Sequence, residues 1–128
     1  MNLSNKGRAM LGRAIEVARL STCWQQHGAV LEDHGKVLAV GCNRYRNDPE
    51  NVDDPKTEGS YHAEVAALRS YTGSTKGATL YVARLSRSGV LFSRPCDNCR
   101  RAIIDAGIRK VVYTGDDGSA IVEFYRED

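Results

Sequence analysis

The fold follows from one stretch, Arg94-Pro95-Cys96-Asp97-Asn98-Cys99-Arg100. Two cysteines with C-x-x-C spacing, directly after a proline, suit a pair of metal-binding thiolates on the first turn of a helix. Proline is well placed at a helix start because its missing N–H would have no partner there. The unpaired N–H groups and the positive end of the helix dipole favour the thiolate, which is the form that binds Zn²⁺. Two thiolates do not complete a zinc site, so we expect further ligands elsewhere in the chain.

Length and composition indicate one domain, spanning residues 1–128. The chain has 128 residues, of which 41% are hydrophobic and 27% charged, with a net charge of +2. These values are ordinary for a globular protein and do not by themselves indicate a nucleic-acid partner. No stretch resembles a signal peptide or a membrane span, so we expect no membrane association. Four cysteines, two of them in C-x-x-C, fit a reducing compartment, and we expect a cytoplasmic protein.

The hydrophobic pattern predicts three helices and five strands. Apolar residues at helical spacing mark the helices, and short apolar runs between turn residues mark the strands. The first half of the sequence predicts a helix that holds Leu11, Ala14, Ile15 and Ala18, followed by a hairpin of strands at 28–32 and 36–41. A long loop at 44–60 then leads to a second helix that starts at or beside His62. The second half predicts a third strand at 79–83 that residues 90–92 extend, a third helix that holds Ala102 to Ala106, and strands at 111–113 and 120–125.

This order of elements describes an α/β protein, a three-layer α-β-α sandwich with a mixed five-stranded sheet and helices on both faces. The direction of the last strand can also be predicted. Only about a dozen residues follow Tyr113, and their Gly-Asp-Asp-Gly turn leaves no room for a crossover helix. Strand five is therefore expected to run antiparallel to strand four.

The third predicted zinc ligand is His62, at the start of the second helix. With Ala63 and Glu64 it spells H-A-E, while Cys96 and Cys99 start the third helix. Neighbouring crossover helices in such a sheet begin at the same edge, so the ligands can converge. One imidazole and two thiolates leave the fourth position of zinc open, which marks a catalytic site. Glu64 is not needed as a ligand, and its carboxylate can take a proton from water and pass it to a leaving amine.

These motifs resemble the signature of zinc-dependent nucleobase deaminases, H-x-E followed by P-C-x-x-C. Further stretches look like the cytidine and deoxycytidylate deaminase superfamily: Ser21-Thr22-Cys23, Gly28-Ala29-Val30, Gly41-Cys42-Asn43 and Ala102-Ile103-Ile104 with Gly107-Ile108. The resemblance covers nearly the whole chain and implies a cytidine deaminase-like fold. It implies zinc on His62, Cys96 and Cys99, proton transfer by Glu64, and substrate contacts from Asn43 and the Ala63 backbone. We also expect a homo-oligomer, a dimer or a tetramer.

The predicted reaction replaces the exocyclic amine of cytosine by a carbonyl, which gives uracil. The family's free-nucleoside enzymes usually have Cys where His62 stands and Glu where Tyr45 stands, and deoxycytidylate deaminases usually have Gly where Arg44 stands. The sequence therefore leaves the substrate open among a (deoxy)cytidine nucleotide, a nucleoside and a single-stranded nucleic acid.

Four side chains are candidates for contacts to the rest of the substrate. Arg44 and Arg46 follow Asn43 at the mouth of the inferred site, and Arg94 precedes the zinc helix. Three guanidinium groups near one pocket suggest a phosphate, with ordinary solvated loop charge as the alternative. Trp24 is a candidate for stacking on a base, with packing as the alternative.

Three other functions fit parts of the pattern. One is a deaminase acting on adenine or another amino-heterocycle, and another is a catalytically silent, zinc-stapled binding module. A structural site needs no general base, so Glu64 argues against the silent module. A thioredoxin-like redox pair would follow the first strand of a βαβ unit, whereas this C-x-x-C follows the third strand. The remaining cysteines and histidines are assigned no metal role; they are Cys23, Cys42, His27 and His34.

Overall fold

The computed structural model describes residues 3–23, 25–45, 60–86 and 89–125. The helices in these ranges are α1 (Asn5–Ala18), α2 (Ala63–Arg69) and α3 (Asp97–Asp105). The strands are β1 (Gln26–Asp33), β2 (Lys36–Cys42), β3 (Arg44–Tyr45), β4 (Ser60–Tyr61), β5 (Thr79–Ser86), β6 (Gly89–Leu91), β7 (Lys110–Thr114) and β8 (Ala120–Phe124). None of these helices is long and apolar enough to cross a membrane.

The main sheet is mixed, with the strand order β2-β1-β5-β7-β8 and with β6 paired to β5. β1 runs antiparallel to β2 and β5, whereas β5 and β7 are parallel because α3 carries the chain back between them. β8 is antiparallel to β7, with Val112 opposite Val122, which confirms the prediction for the last strand. The sheet has six strands rather than five. Residues 90–92 were expected to extend β5, but residues 89–91 form a separate strand that pairs antiparallel with it.

Helices cover both faces of the sheet, which confirms the three-layer arrangement. α1 begins after Ser4, whose Oγ accepts a hydrogen bond of 3.0 Å from the Gly7 N–H. α1 packs Leu11 and Ala14 against Val30 and other residues of one sheet face. The opposite face carries α2 and α3, whose core residues there are Ala63, Ala67 and Ile103.

Two glycines let helices approach the sheet closely. A Cβ atom at Gly28 would collide with the backbone nitrogen of Ala18 in α1. A Cβ atom at Gly41 would lie 2.5 Å from the backbone nitrogen of Ala67 and 2.7 Å from the carbonyl oxygen of Ala63, both in α2. Any larger residue would push these helices outward, so the glycines set the distances of α1 and α2 from the sheet.

A short ladder occupies the two ends of the region predicted as a long loop. Arg44 of β3 pairs with Tyr61 of β4 in antiparallel register. Residues 46–59 of that predicted loop lie outside the described residues. Because Asn43 directly precedes β3 and His62 directly follows β4, the ladder brings the end of β2 to the start of α2.

Candidate metal centre and active site

The three predicted zinc ligands meet at the edge of the sheet where α2 and α3 begin. His62 directly precedes α2 and Cys96 directly precedes α3, both with extended backbone. The Nδ1 atom of His62 lies 3.0 Å from Sγ of Cys99 and 3.6 Å from Sγ of Cys96. The sequence suggested that Pro95 takes the first helical position. Since α3 begins at Asp97, Pro95 instead lies before the N-cap residue, Cys96.

These three residues fit a zinc ion. Their donor atoms all lie within 4.8 Å of one another. A tetrahedral Zn²⁺ holds nitrogen at about 2.0–2.1 Å and sulfur at about 2.3 Å, which separates its ligand atoms by roughly 3.5 Å. One imidazole nitrogen and two sulfurs are also donors that zinc prefers. Within the described ranges the group has no fourth His, Cys, Asp or Glu, so three protein ligands leave one position open.

The charges around Cys99 favour a bound cation. Burial raises the pKa of the Cys99 thiol, and the neighbouring Glu64 carboxylate and Cys96 raise it further. The sequence suggested that the helix start would favour the thiolate, but in the folded chain burial and the neighbouring negative groups outweigh that influence. A thiolate at Cys99 therefore needs a positive ion beside it, and a divalent metal supplies that charge.

Glu64 is placed to carry a proton rather than to bind the metal. It lies in the first turn of α2 and is 4% exposed. Burial is the largest influence on its pKa and raises it above the ordinary range, although the backbone N–H, His62 and a hydrogen bond with Cys99 act in the opposite direction. A carboxyl group with a raised pKa can both accept and release a proton near neutral pH, which a general acid–base residue requires.

Asn43 connects the ends of β1 and β2 beside this centre. Its Oδ1 accepts a hydrogen bond of 2.8 Å from the His27 N–H, and its Nδ2 donates one of 2.7 Å to the Gln25 carbonyl. Its own carbonyl accepts a hydrogen bond of 2.8 Å from Ser21 Oγ. One Nδ2 proton remains beyond these contacts, because an amide nitrogen carries two.

The other predicted substrate contacts are placed unevenly. Ala63 opens α2, so its N–H is one of the four that a helix leaves without an intrahelical acceptor. Arg94 donates from Nε to the Glu123 carboxylate at 2.9 Å, and its side chain is 45% exposed. The backbone of Arg44 lies in β3 next to the site. Arg46 and Trp24 lie outside the described residues.

A buried hydroxyl pair supports the loop that leads to the two cysteines. Ser93 Oγ lies 3.0 Å from the Val82 carbonyl and accepts a hydrogen bond of 2.8 Å from the Thr114 N–H. Thr114 Oγ1 donates to the Leu91 carbonyl at 2.6 Å. These bonds join β5, β6 and β7 immediately before Pro95, so they hold the start of α3 in place.

Sequence reasoning missed one group of residues near the metal centre. His27 lies opposite Arg84 in the β1–β5 ladder, on the sheet face that carries α2 and α3. Burial and, to a smaller extent, the charges of Arg84 and His62 together lower the pKa of His27 to about 4. Gln25 accepts a hydrogen bond on its Oε1 from the Arg84 guanidinium. No spacing in the sequence links these residues, because only strand pairing brings them together.

Residues 4–115 match the family described as the cytidine and deoxycytidylate deaminase zinc-binding region. The chain belongs to this family. The match confirms the resemblance seen in the motifs, and it makes the His62, Cys96 and Cys99 cluster the candidate zinc site of a deaminase-family protein.

Individual relatives agree with this family assignment. The chain is 29% identical over 104 residues to the deoxycytidylate deaminase of Homo sapiens. This alignment covers 72% of this chain and 53% of the human protein. The family member described here thus spans about half the length of that curated relative.

Solved structures also resemble the fold. The apo deoxycytidylate (dCMP) deaminase of cyanophage S-TIM5 aligns with a TM-score of 0.68 and 26% identity, over 91% of this chain and 86% of that one. The cytidine deaminase of Burkholderia pseudomallei aligns with a TM-score of 0.67 and 22% identity, over 95% of this chain and 93% of that one. The cytidine deaminase-like fold expected from the sequence is therefore confirmed.

Proposed function

We propose that this protein is a zinc-dependent hydrolase that deaminates cytosine to uracil, with a deoxycytidine or cytidine nucleotide as its preferred substrate. In this reaction a water oxygen forms a bond to C4 of the base, and the bond from C4 to the exocyclic nitrogen breaks. The nitrogen leaves as ammonia after it gains one proton from the attacking water, and the second proton of that water goes to N3 of the base.

One observation carries this proposal. Glu64 is buried in the first turn of α2, in hydrogen-bond contact with Cys99, yet it lies outside the group of metal ligands. A structural zinc site gains nothing from burying a further carboxyl group beside its thiolates, because the negative charge destabilises them. A hydrolytic site does gain, because a proton must move from water to the leaving amine.

The residues then have distinct roles. His62, Cys96 and Cys99 would hold the metal, and a bound Zn²⁺ would supply the positive charge that makes water acidic enough to react near neutral pH. Glu64 accepts the water proton on a carboxylate oxygen and delivers it toward the amine. The Ala63 N–H and the remaining Nδ2 proton of Asn43 are donors suited to oxygen atoms of the substrate.

The preference for a nucleotide rests on the named relatives. The human relative and the cyanophage neighbour are both described as deoxycytidylate deaminases. We further propose a cytoplasmic location, because thiolate ligands need a reducing compartment when the metal is absent. Assembly into a dimer or tetramer stays part of the proposal.

The test is a substrate panel with the zinc-loaded protein. Ammonia release is compared at equal concentration for deoxycytidine monophosphate, cytidine monophosphate, cytidine, deoxycytidine and a short cytosine-containing strand. We expect one of the two monophosphates to give the highest kcat/KM. Release from adenosine monophosphate alone would favour the adenine alternative. Release from none of these compounds, with one zinc bound per chain, would favour the silent binding module.

A further inference from the structure

Arg84 is a cation without an anionic partner in the part of the chain that the structure describes. Its guanidinium donates to Oε1 of Gln25, which is a neutral acceptor. Its Nε atom is buried and has no hydrogen-bond partner there. Arginine stays protonated in proteins, so Arg84 keeps a full positive charge in a partly buried place.

The Nε donor of Arg84 is buried without a partner, and an unsatisfied buried donor in a native structure calls for an explanation. Arg94 shows the usual solution, because the Glu123 carboxylate pairs with it. None of the described ion pairs involves Arg84. None of the described residues supplies a negative charge to Arg84, and a bound anionic ligand would supply it.

The position of Arg84 indicates which anion this is. In β5 the core residues Leu80 and Val82 point to the sheet face that carries α2 and α3, and alternation places Arg84 on the same face. Arg84 lies at the C-terminal half of β5, opposite His27 of β1. The His27 N–H donates to Oδ1 of Asn43, which lies between β2 and β3 at the end of the sheet where α2 begins, so the strand pairing places Arg84 at that same end.

His27 and Gln25 complete this side of the site without competing for the anion. The lowered pKa of His27 keeps its imidazole neutral at physiological pH. Gln25 fixes one end of the guanidinium through Oε1, and the Gln25 backbone is itself fixed by Asn43. The described hydrogen bond of the Arg84 guanidinium is thus with a neutral group, which leaves its charge available to a ligand.

We infer that Arg84 is the specificity-determining residue that binds the 5′-phosphate of a mononucleotide substrate. This inference rests on the proposed function, and it gives Arg84 the phosphate contact that the sequence suggested for Arg44, Arg46 and Arg94. The phosphates of single-stranded nucleic acid have the same chemistry. Proteins that bind such polymers use a positively charged surface groove along the backbone, whereas Arg84 is a single arginine fixed on β5 at the metal centre. Its position therefore fits the terminal phosphate of a small substrate better.

The experiment compares kcat/KM for deoxycytidine monophosphate, deoxycytidine and a short cytosine-containing strand in the zinc-loaded wild type and in Arg84→Gln. We expect Arg84→Gln to lower the value for the monophosphate by about tenfold to a hundredfold, which is what loss of a charge-assisted hydrogen bond costs. The value for deoxycytidine should stay within about twofold. Arg101→Gln, which removes an exposed arginine of α3, is the matched control. It should leave the ratio of kcat/KM for the monophosphate to kcat/KM for deoxycytidine unchanged.

Three results would overturn the inference. An equal loss of kcat/KM for deoxycytidine in Arg84→Gln would show a structural role. A loss of kcat/KM confined to the cytosine-containing strand would show that Arg84 binds a polymer phosphate. A loss for the monophosphate in Arg94→Gln instead of Arg84→Gln would assign the phosphate contact to Arg94. If the wild type deaminates none of the three, the proposed function fails, and calorimetric binding of the same compounds decides the role of Arg84. If the wild type binds the monophosphate more tightly than deoxycytidine and Arg84→Gln loses this difference, the inference is still supported. Equal binding of the two compounds by the wild type would refute it.

Discussion

Asn43 is the residue that holds the two strand ends of the site together. Its amide satisfies the His27 N–H and the Gln25 carbonyl at the same time, and it is 7% exposed. No other described side chain bonds to both of these groups. This amide therefore adds to the backbone pairing of the same strand ends, in which the Asn43 N–H donates to the His27 carbonyl.

Asn43→Ala should lower the free energy of unfolding by about 2 kcal/mol or more, because two backbone groups lose their partners in a poorly solvated place. Urea denaturation of the zinc-loaded protein measures this change. Asn5→Ala, at an exposed position that opens α1, is the control and should change stability by less than about 0.5 kcal/mol. Equal stability of Asn43→Ala and wild type would contradict the role given to this amide.

Single residues also show how far a sequence can be interpreted. The zinc ligands and Glu64 could be predicted because each motif is local, H-A-E on one helix and C-x-x-C on the next. His27 and Arg84 could not, because their proximity arises from a ladder between strands far apart in the chain. The pairing of Arg94 with Glu123 was likewise hidden, since it depends on where β8 returns.

At the scale of elements, α2 is placed by the absence of a side chain at Gly41. Gly41→Ala should cost about 1–3 kcal/mol of stability and weaken zinc binding, because α2 and its His62 must move outward. Gly12→Ala is a matched control in α1, where an added Cβ meets nothing within 4 Å. This control should raise stability by about 0.5–1 kcal/mol through helix propensity.

Thermal unfolding and competition with a zinc chelator measure both properties of the glycine variants. Unchanged zinc affinity in Gly41→Ala would show that the close approach of α2 to β2 is not needed for the metal centre. Unchanged affinity in Gly12→Ala is expected in either case, because α1 lies on the other face of the sheet.

The start of α3 depends on the Ser93 and Thr114 hydroxyls. Ser93→Ala should lower stability by about 1–3 kcal/mol, because the Thr114 N–H loses its buried acceptor. Zinc affinity should fall as well, since the loop before Cys96 loosens. The absorption spectrum of the cobalt-substituted variant reports the ligand geometry directly. Ser119→Ala in the exposed turn before β8 should match wild type in both measurements, and an unchanged cobalt spectrum in Ser93→Ala would contradict the supporting role.

The strand and helix pattern was predictable because helical and strand periodicities are distinct in this sequence. β6 was not separated from β5, since residues 89–91 continue the same apolar pattern and only the ladder shows that they turn back. The β3–β4 ladder was also missed, because two-residue strands carry no periodicity.

For the whole molecule, zinc should act as a cross-link between α2 and α3. His62 and the two cysteines come from different helices, so the metal binds the folded chain and not the unfolded one. Free zinc at a hundred times its Kd would stabilise the fold by about 2.7 kcal/mol. Chelation should therefore lower Tm by several degrees, and zinc should restore it. Equal Tm values with and without chelator would contradict a shared site.

In the proposed reaction, a metal centre and a separate proton carrier together deaminate cytosine. The most direct measurement pairs zinc content with uracil formation in wild type and Glu64→Gln. We expect one zinc per chain in both proteins, with a rate of uracil formation from deoxycytidine monophosphate about 10²–10⁴ times lower in the variant. Loss of zinc in Glu64→Gln, or an unchanged rate with zinc retained, would contradict it.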